Sequence, residues 1–148
     1  MKYFAFGSNL NLGQMRSRCP DAVPLERALL RDHRLAFRSR NGGHGVATVV
    51  RARGWNVRGG LYRISNRDLM ALDNYEGWPI SYSRATVEVV GEVSGPVGAI
   101  IYWLNPPHAD APPNHWYREA IVEGLTDWGI RVPSMLARFE REVEREEA

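Results

Sequence analysis

The chain has 148 residues, 44% hydrophobic and 24% charged, with a formal net charge of +2, which is ordinary for a globular protein and sufficient for one domain spanning residues 1–148. No apolar run is long enough to span a bilayer, and the N-terminus (Met1-Lys2-Tyr3-Phe4) enters a strand-like stretch without the blocks of a signal peptide. Cys19 is the only cysteine, which excludes a disulfide framework and a thiolate metal site, so a cytoplasmic location is expected.

Residues 2–6 (Lys-Tyr-Phe-Ala-Phe) read as a short buried strand stopped by Gly7. Gly7-Ser8-Asn9-Leu10-Asn11 follows, rich in residues that cap helices and accept unusual backbone angles. Leu12, Met15 and Cys19 then recur at i, i+3 and i+7, predicting a short amphipathic helix ended by Pro20. A strand, a glycine-containing turn and a helix N-terminus together present backbone N–H groups in one direction, suited to a carboxylate, phosphate or oxyanion. Such turns also occur without any ligand.

Further along, a turn and then a strand through His33 to Phe37 are expected, with a flexible loop at residues 40–45. Ala47–Val50 and Val57–Ile64 read as two more strands, Gly59-Gly60 marking a bulge or a close approach of backbones. Ser65 can cap the helix that follows. Tyr82–Val90 alternates, and Val97–Leu104 is dense in Ile, Tyr and Trp, so both are expected strands. A proline-punctuated connection (residues 105–113) leads to a helix capped by Asn114, with the stripe Tyr117, Ile121, Leu125 and Trp128. Ser134 can cap a last helix carrying Leu136, Phe139 and Val143, whose acidic end, Glu140 to Glu147, should be solvated. About six strands with helices at both ends of the chain predict an α+β fold built on a small curved sheet or barrel.

The helix after Ser65 carries the residue with the most unusual placement. Leu69, Leu72 and Glu76 share one face, and Gly77 and Pro79 end the helix immediately afterwards. Glu76 therefore combines an apolar face with a helix C-terminus, where carbonyl dipoles disfavour an acid. Both raise its pKa towards the range of a neutral-pH proton carrier. A surface Glu, or one paired with an arginine, remains open on the pattern alone.

Other constellations fail on spacing. Gly7-Ser8-Asn9 lacks the second glycine of a serine nucleophile elbow. His33, His44, His108 and His115 have no metal-ligand offsets, and with Lys2 the sole lysine there is no phosphate-binding loop. No metal or cofactor is expected. Arginines are densest at Arg38, Arg40, Arg51, Arg53 and Arg58, but acids elsewhere nearly balance them, so neither a nucleic-acid nor a membrane partner is expected.

Two stretches carry a family resemblance. Tyr3-Phe4-Ala5-Phe6-Gly7-Ser8-Asn9-Leu10 resembles the Tyr-Gly-Ser-Asn-Leu signature of the γ-glutamyl cyclotransferase-like (AIG2-like) family. Leu72-Asp73-Asn74-Tyr75-Glu76-Gly77, with Pro79, Tyr82 and Arg84, is similar to that family's second block, whose glutamate is catalytic. Arg18-Cys19-Pro20 and the late Tyr117 fit as well. One position departs: Phe6 stands where the family usually has tyrosine, which removes a hydroxyl from the site.

The resemblance implies a small mixed β-barrel with flanking helices and an intramolecular reaction. The α-amine of a γ-glutamyl group attacks its own side-chain carbonyl, giving 5-oxoproline and a free amine or amino acid, without metal, cofactor or water. It implies Glu76 as the catalytic acid/base, and a substrate pocket of Tyr3, Phe6, Gly7, Ser8, Asn9, Leu10, Tyr82 and Tyr117. The expected partner is a small γ-glutamyl amide, bound by a monomer or homodimer. The chemistry asks for a base near neutrality, preorganised donors for an oxyanion, and a proton for the leaving amine; Glu76 and the turn at residues 7–10 could supply them. The alternative is a non-catalytic small-molecule binding module on the same fold.

Overall fold

The computed structural model describes residues 1–139, so Val143 and the acidic end expected at Glu140 to Glu147 lie outside the described residues. In chain order the elements are β1 (Lys2–Ala5), a single 3-10 turn (Ser8–Leu10), α1 (Leu12–Arg18), β2 (Val23–Ser39), β3 (Val46–Arg63), α2 (Asn66–Glu76), β4 (Tyr82–Gly91), β5 (Gly95–Leu104), β6 (Ala109–Asp110) and α3 (His115–Asp127). Residues 134–139 are also helical.

Strand order is β3-β1-β5-β4-β2, and β2 pairs again with β3, closing a five-stranded barrel. Every pairing is antiparallel except β1 with β5, which run parallel at Tyr3 and Ile100. This is the mixed barrel with flanking helices that the resemblance implied. Closure removes the unpaired edges that an open sheet of this size would leave.

The barrel interior is apolar because alternate residues of each strand point inward. Phe4, Leu61 and Val89 are fully buried, and Leu72 of α2 and Ile121 of α3 pack onto the same core. Truncating a side chain as enclosed as Leu72 to alanine typically costs about 2–5 kcal/mol. Gly59 and Gly60 mark a close approach of backbones. A Cβ on Gly59 would stand 2.2 Å from the Ala5 carbonyl oxygen, and one on Gly60 2.7 Å from the Trp128 ring.

Two expectations are corrected. The strand foreseen at His33–Phe37 is the far half of β2, which already begins at Val23, and the strands foreseen at Ala47–Val50 and Val57–Ile64 are one strand, β3. What hid the continuity is an excursion in the hairpin. Arg31 pairs with Asn56 but His33 with Arg51, so residues 52–55 swing out opposite Asp32. Asp32 and Gly54 both take positive φ there, at 59° and 84°, and the Gly54 N–H donates to Asp32 Oδ1 at 2.9 Å. The local sequence Ala-Arg-Gly-Trp loses the alternation by which a strand is read.

At the C-terminal side, Asn114 caps α3 by accepting from the Tyr117 N–H at 2.8 Å, as expected. Ser134 does not cap the last helix. The Pro133 carbonyl accepts from Leu136 and Ala137, which makes Ser134 the first helical residue.

Candidate active site

The turn after β1 is held from below by its own carbonyls. Gly7 O accepts from the Leu10 N–H and Ser8 O from the Asn11 N–H, each at 3.0 Å. Asn9 O accepts from the Tyr62 hydroxyl and Leu10 O from the Trp128 indole, each at 2.8 Å. Four consecutive carbonyls are thereby occupied on the core side. Among the described residues the N–H groups of Gly7, Ser8 and Asn9 have no acceptor in the protein. Orphaned amides beside a cavity are donors waiting for a ligand.

Asn11 joins this turn to two helices. Its side chain caps α1 by accepting from the Gln14 N–H at 3.1 Å and donates to the Ala120 carbonyl of α3 at 3.2 Å. Gly124 lets α3 come this close, since a Cβ there would lie 2.4 Å from the Asn11 nitrogen.

α2 brings Glu76 to the same place. It starts with a full capping box, Ser65 accepting from the Asp68 N–H while Asp68 accepts from the Ser65 N–H. It ends at Gly77, whose φ of 75° is left-handed and whose N–H bonds back to the carbonyls of Asp73 and Asn74. Glu76 is therefore the last helical residue, and its side chain turns into a cavity of about 220 Å³. Burial raises its pKa from 4.5 to about 7, while the positive charge of Arg18 pulls the other way. Burial also pushes up the hydroxyl pKa values of Tyr3, Tyr82, Tyr102 and Tyr117, with the Glu76 charge adding to each. A carboxylate ringed by neutral phenols is the electrostatic character of this cavity.

Of the residues expected in the pocket, Tyr3, Phe6, Gly7, Ser8, Asn9, Tyr82 and Tyr117 line the cavity with Glu76. Leu10 does not. Its side chain is fully buried in the core, and its N–H is spent on Gly7. Tyr82 and Tyr117 bracket one peptide group of β3. Tyr82 donates to the Ala47 carbonyl at 3.2 Å, and the Tyr117 oxygen accepts from the Ala47 N–H at 2.9 Å. Tyr117 thus keeps its own proton available. Gly7 has φ −120°, so no left-handed strain requires glycine there. The constraint is steric: a Cβ would stand 3.1 Å from that of Ala47.

Sequence reasoning missed Tyr75, Tyr102 and Arg18. Tyr75 and Tyr102 line the cavity. Tyr102 donates to Asp73 Oδ1 at 2.7 Å, and Arg84 clamps the same carboxylate at 2.8 and 3.2 Å. Arg18 donates to Asn9 Oδ1, to Ser8 Oγ at 3.4 Å and to Gln14 Oε1 at 3.0 Å. Tyr75 stands inside the second motif and Arg18 just after the first, so both were in view without a role, whereas Tyr102 faces Arg84 only through the β4–β5 register of the structure. Among the described residues no group of three His, Cys, Asp or Glu side chains is arranged to hold a metal ion, and no helix is long and apolar enough to cross a membrane.

A closed mixed barrel with a glycine turn and a helix-terminal glutamate facing one cavity defines a recognisable class. Residues 3–123 match the family model described as gamma-glutamyl cyclotransferase, AIG2-like, and the chain belongs to that family, a family of enzymes. It is 31% identical over 137 residues to the gamma-glutamylcyclotransferase of Mus musculus, and 30% identical over 135 residues to that of Homo sapiens; each match covers 86% of this chain and 71% of the relative. A solved structure of a gamma-glutamyl cyclotransferase superposes with a TM-score of 0.84 at 25% identity, covering 95% of this chain and 86% of that one.

Proposed function

We propose that this protein is a γ-glutamyl cyclotransferase that releases 5-oxoproline from a small γ-glutamyl amide, with Glu76 as acid and base. The observation that carries the reading is the pairing, within one cavity, of a carboxyl group poised near neutrality with three unclaimed backbone N–H groups.

The substrate arrives with a protonated α-amine, which cannot attack. Glu76, substantially ionised at pH 7, accepts one of its protons. The freed nitrogen then attacks the γ-carbonyl carbon, forming the new C–N bond of the five-membered ring and a tetrahedral oxyanion. Amides of Gly7, Ser8 and Asn9 are suited to hold that oxyanion, or the α-carboxylate, because they need no reorganisation to donate. As the intermediate collapses, the bond to the leaving nitrogen breaks and that nitrogen takes the proton from Glu76. The ring nitrogen, left with one proton too many by the attack, gives it up to the regenerated Glu76 carboxylate and through it to the departing amine. The net change is one amide exchanged for a lactam plus a free amine. Neutral tyrosine hydroxyls suit this path, since a phenolate nearby would repel the developing charge. The cavity volume of about 220 Å³ suits a curled γ-glutamyl group, and orientation is the chief gain in a ring closure already unimolecular.

The test is 5-oxoproline release from a panel of γ-glutamyl amino acids and γ-glutamylamines. Turnover of at least one of them, lost in Glu76→Gln by roughly a hundredfold or more, is expected. Thermal stabilisation by the panel with no 5-oxoproline formed would instead identify a binding module.

A further inference from the structure

A second concavity, of about 630 Å³, lies between the β2–β3 hairpin, α3 and residues 130–137. Its inner surface is apolar, formed by Leu35, Val57, Leu125, Ile130 and Met135. Phe6 also reaches it, so one ring forms a wall of both this groove and the smaller cavity around Glu76.

The edge of the groove has a different chemistry. Arg34, Arg58 and Arg131 stand on it, and no aspartate or glutamate lines it among the described residues. Five arginines of the described residues pair with acids, Arg27 with Glu92, Arg38 with Asp110, Arg67 with Asp21, Arg84 with Asp73 and Arg118 with Glu119. Arg34, Arg58 and Arg131 have no ion-pair partner among the described residues. Trp55 is presented at the same edge by the excursion at residues 52–55, with 63% of its surface exposed. An exposed indole beside three unpaired guanidinium groups, over an apolar concavity of ligand-binding size, is more than solubility requires.

We infer that this groove is a binding site for a small amphipathic anion, a molecule with an acyl- or aryl-sized apolar body and a carboxylate or phosphate head. The body would replace water against the partly exposed Leu35, Val132 and Met135, and the head would meet the guanidinium forks, whose planar donors match such oxygens. Positive charge without compensating acids selects the sign of the ligand, and the depth of the apolar wall selects against small inorganic ions.

Calorimetric titration of the full chain with decanoate tests this, with decyltrimethylammonium as the cationic counterpart. Saturable binding of decanoate is expected, undiminished by excess 5-oxoproline, with no saturable binding of the cation. Arg58 and Arg131 are both exposed, so R58E/R131E should fold normally by circular dichroism and melt like the wild type. It should bind decanoate about tenfold more weakly or worse. Trp55→Ala, equally exposed, should weaken binding without altering the preference for the anion. Absence of saturable decanoate binding up to about 1 mM, equal binding of anion and cation, displacement by 5-oxoproline, or an R58E/R131E variant with wild-type affinity would each overturn the assignment.

Discussion

Arg18 lies over Tyr75, its guanidinium carbon 3.6 Å from the ring centroid, and the same group donates to Ser8 and Asn9. One cation from α1 therefore ties the end of α2 to the glycine turn, and its charge holds the pKa of Glu76 lower than burial alone would. Replacing Arg18 with Met keeps a long apolar stem and deletes that charge. The acid limb of the pH–rate profile should then move to higher pH, and KM should rise as Ser8 and Asn9 lose their tether. A limb that stays in place would separate Arg18 from the proton chemistry.

In the wild type that limb should fall near the Glu76 pKa of about 7. In the proposed mechanism the carboxylate form is the base, so kcat/KM should drop as pH falls below this value, by about tenfold per pH unit once well below it. Initial rates of 5-oxoproline release between pH 5 and 9, in buffers of constant ionic strength, measure it. A flat profile down to about pH 5 would point to a base with an ordinary carboxylate pKa.

Stability gives an independent reading of the same group. Folding raises the Glu76 pKa from 4.5 to about 7, so its contribution is fully present below the lower value and is lost as pH rises through the upper one. Glu76→Gln carries no titrating group there. Relative to wild type, the variant should therefore gain stability across that window and hold the gain above it, by up to about 3 kcal/mol before solvent screening reduces it. Denaturant midpoints of both proteins at pH 5 and pH 8 provide the comparison.

The turn makes a prediction about order. Gly7→Val adds a branched side chain where even a Cβ would be 3.1 Å from Ala47 and 3.7 Å from the Tyr117 hydroxyl, so it should abolish turnover by closing access to the amides. Ser8→Ala removes only long contacts, 3.4 Å to Arg18 and 3.5 Å to Tyr75, and should cost at most about 0.5–1.5 kcal/mol in kcat/KM. A nucleophilic Ser8 would reverse that ranking and leave a covalent adduct visible by mass spectrometry.

The pieces that could be read from the chain are those determined by short-range chemistry. The Gly7 turn, the Asn11 and Ser65 side of each helix start, and the stop at Gly77 depend on neighbours within a few residues. Long strands were harder, because the excursion at residues 52–55 breaks the alternation of β3 while its pairing with β2 continues on either side. Arg18 was noted only as part of the Arg18-Cys19-Pro20 stretch that follows the first motif. Its significance depends on Tyr75 and the turn, brought together only by the packing of α1 against α2. Leu10 was drawn into the pocket by its place in the motif, although its apolar side chain belongs to the core.

The glycine turn is synthesised before the residues that complete it. Its strand, β1, docks beside β5 at Ile100, its capping residue Asn11 leans on Ala120, and its Leu10 carbonyl is held by Trp128. Contacts of such long sequence separation carry a larger loop-closure cost than the hairpin of β2 and β3. A nascent chain therefore cannot own a finished site until α3 has been made, and C-terminal truncation before Trp128 should leave the turn unsupported even with every motif residue present.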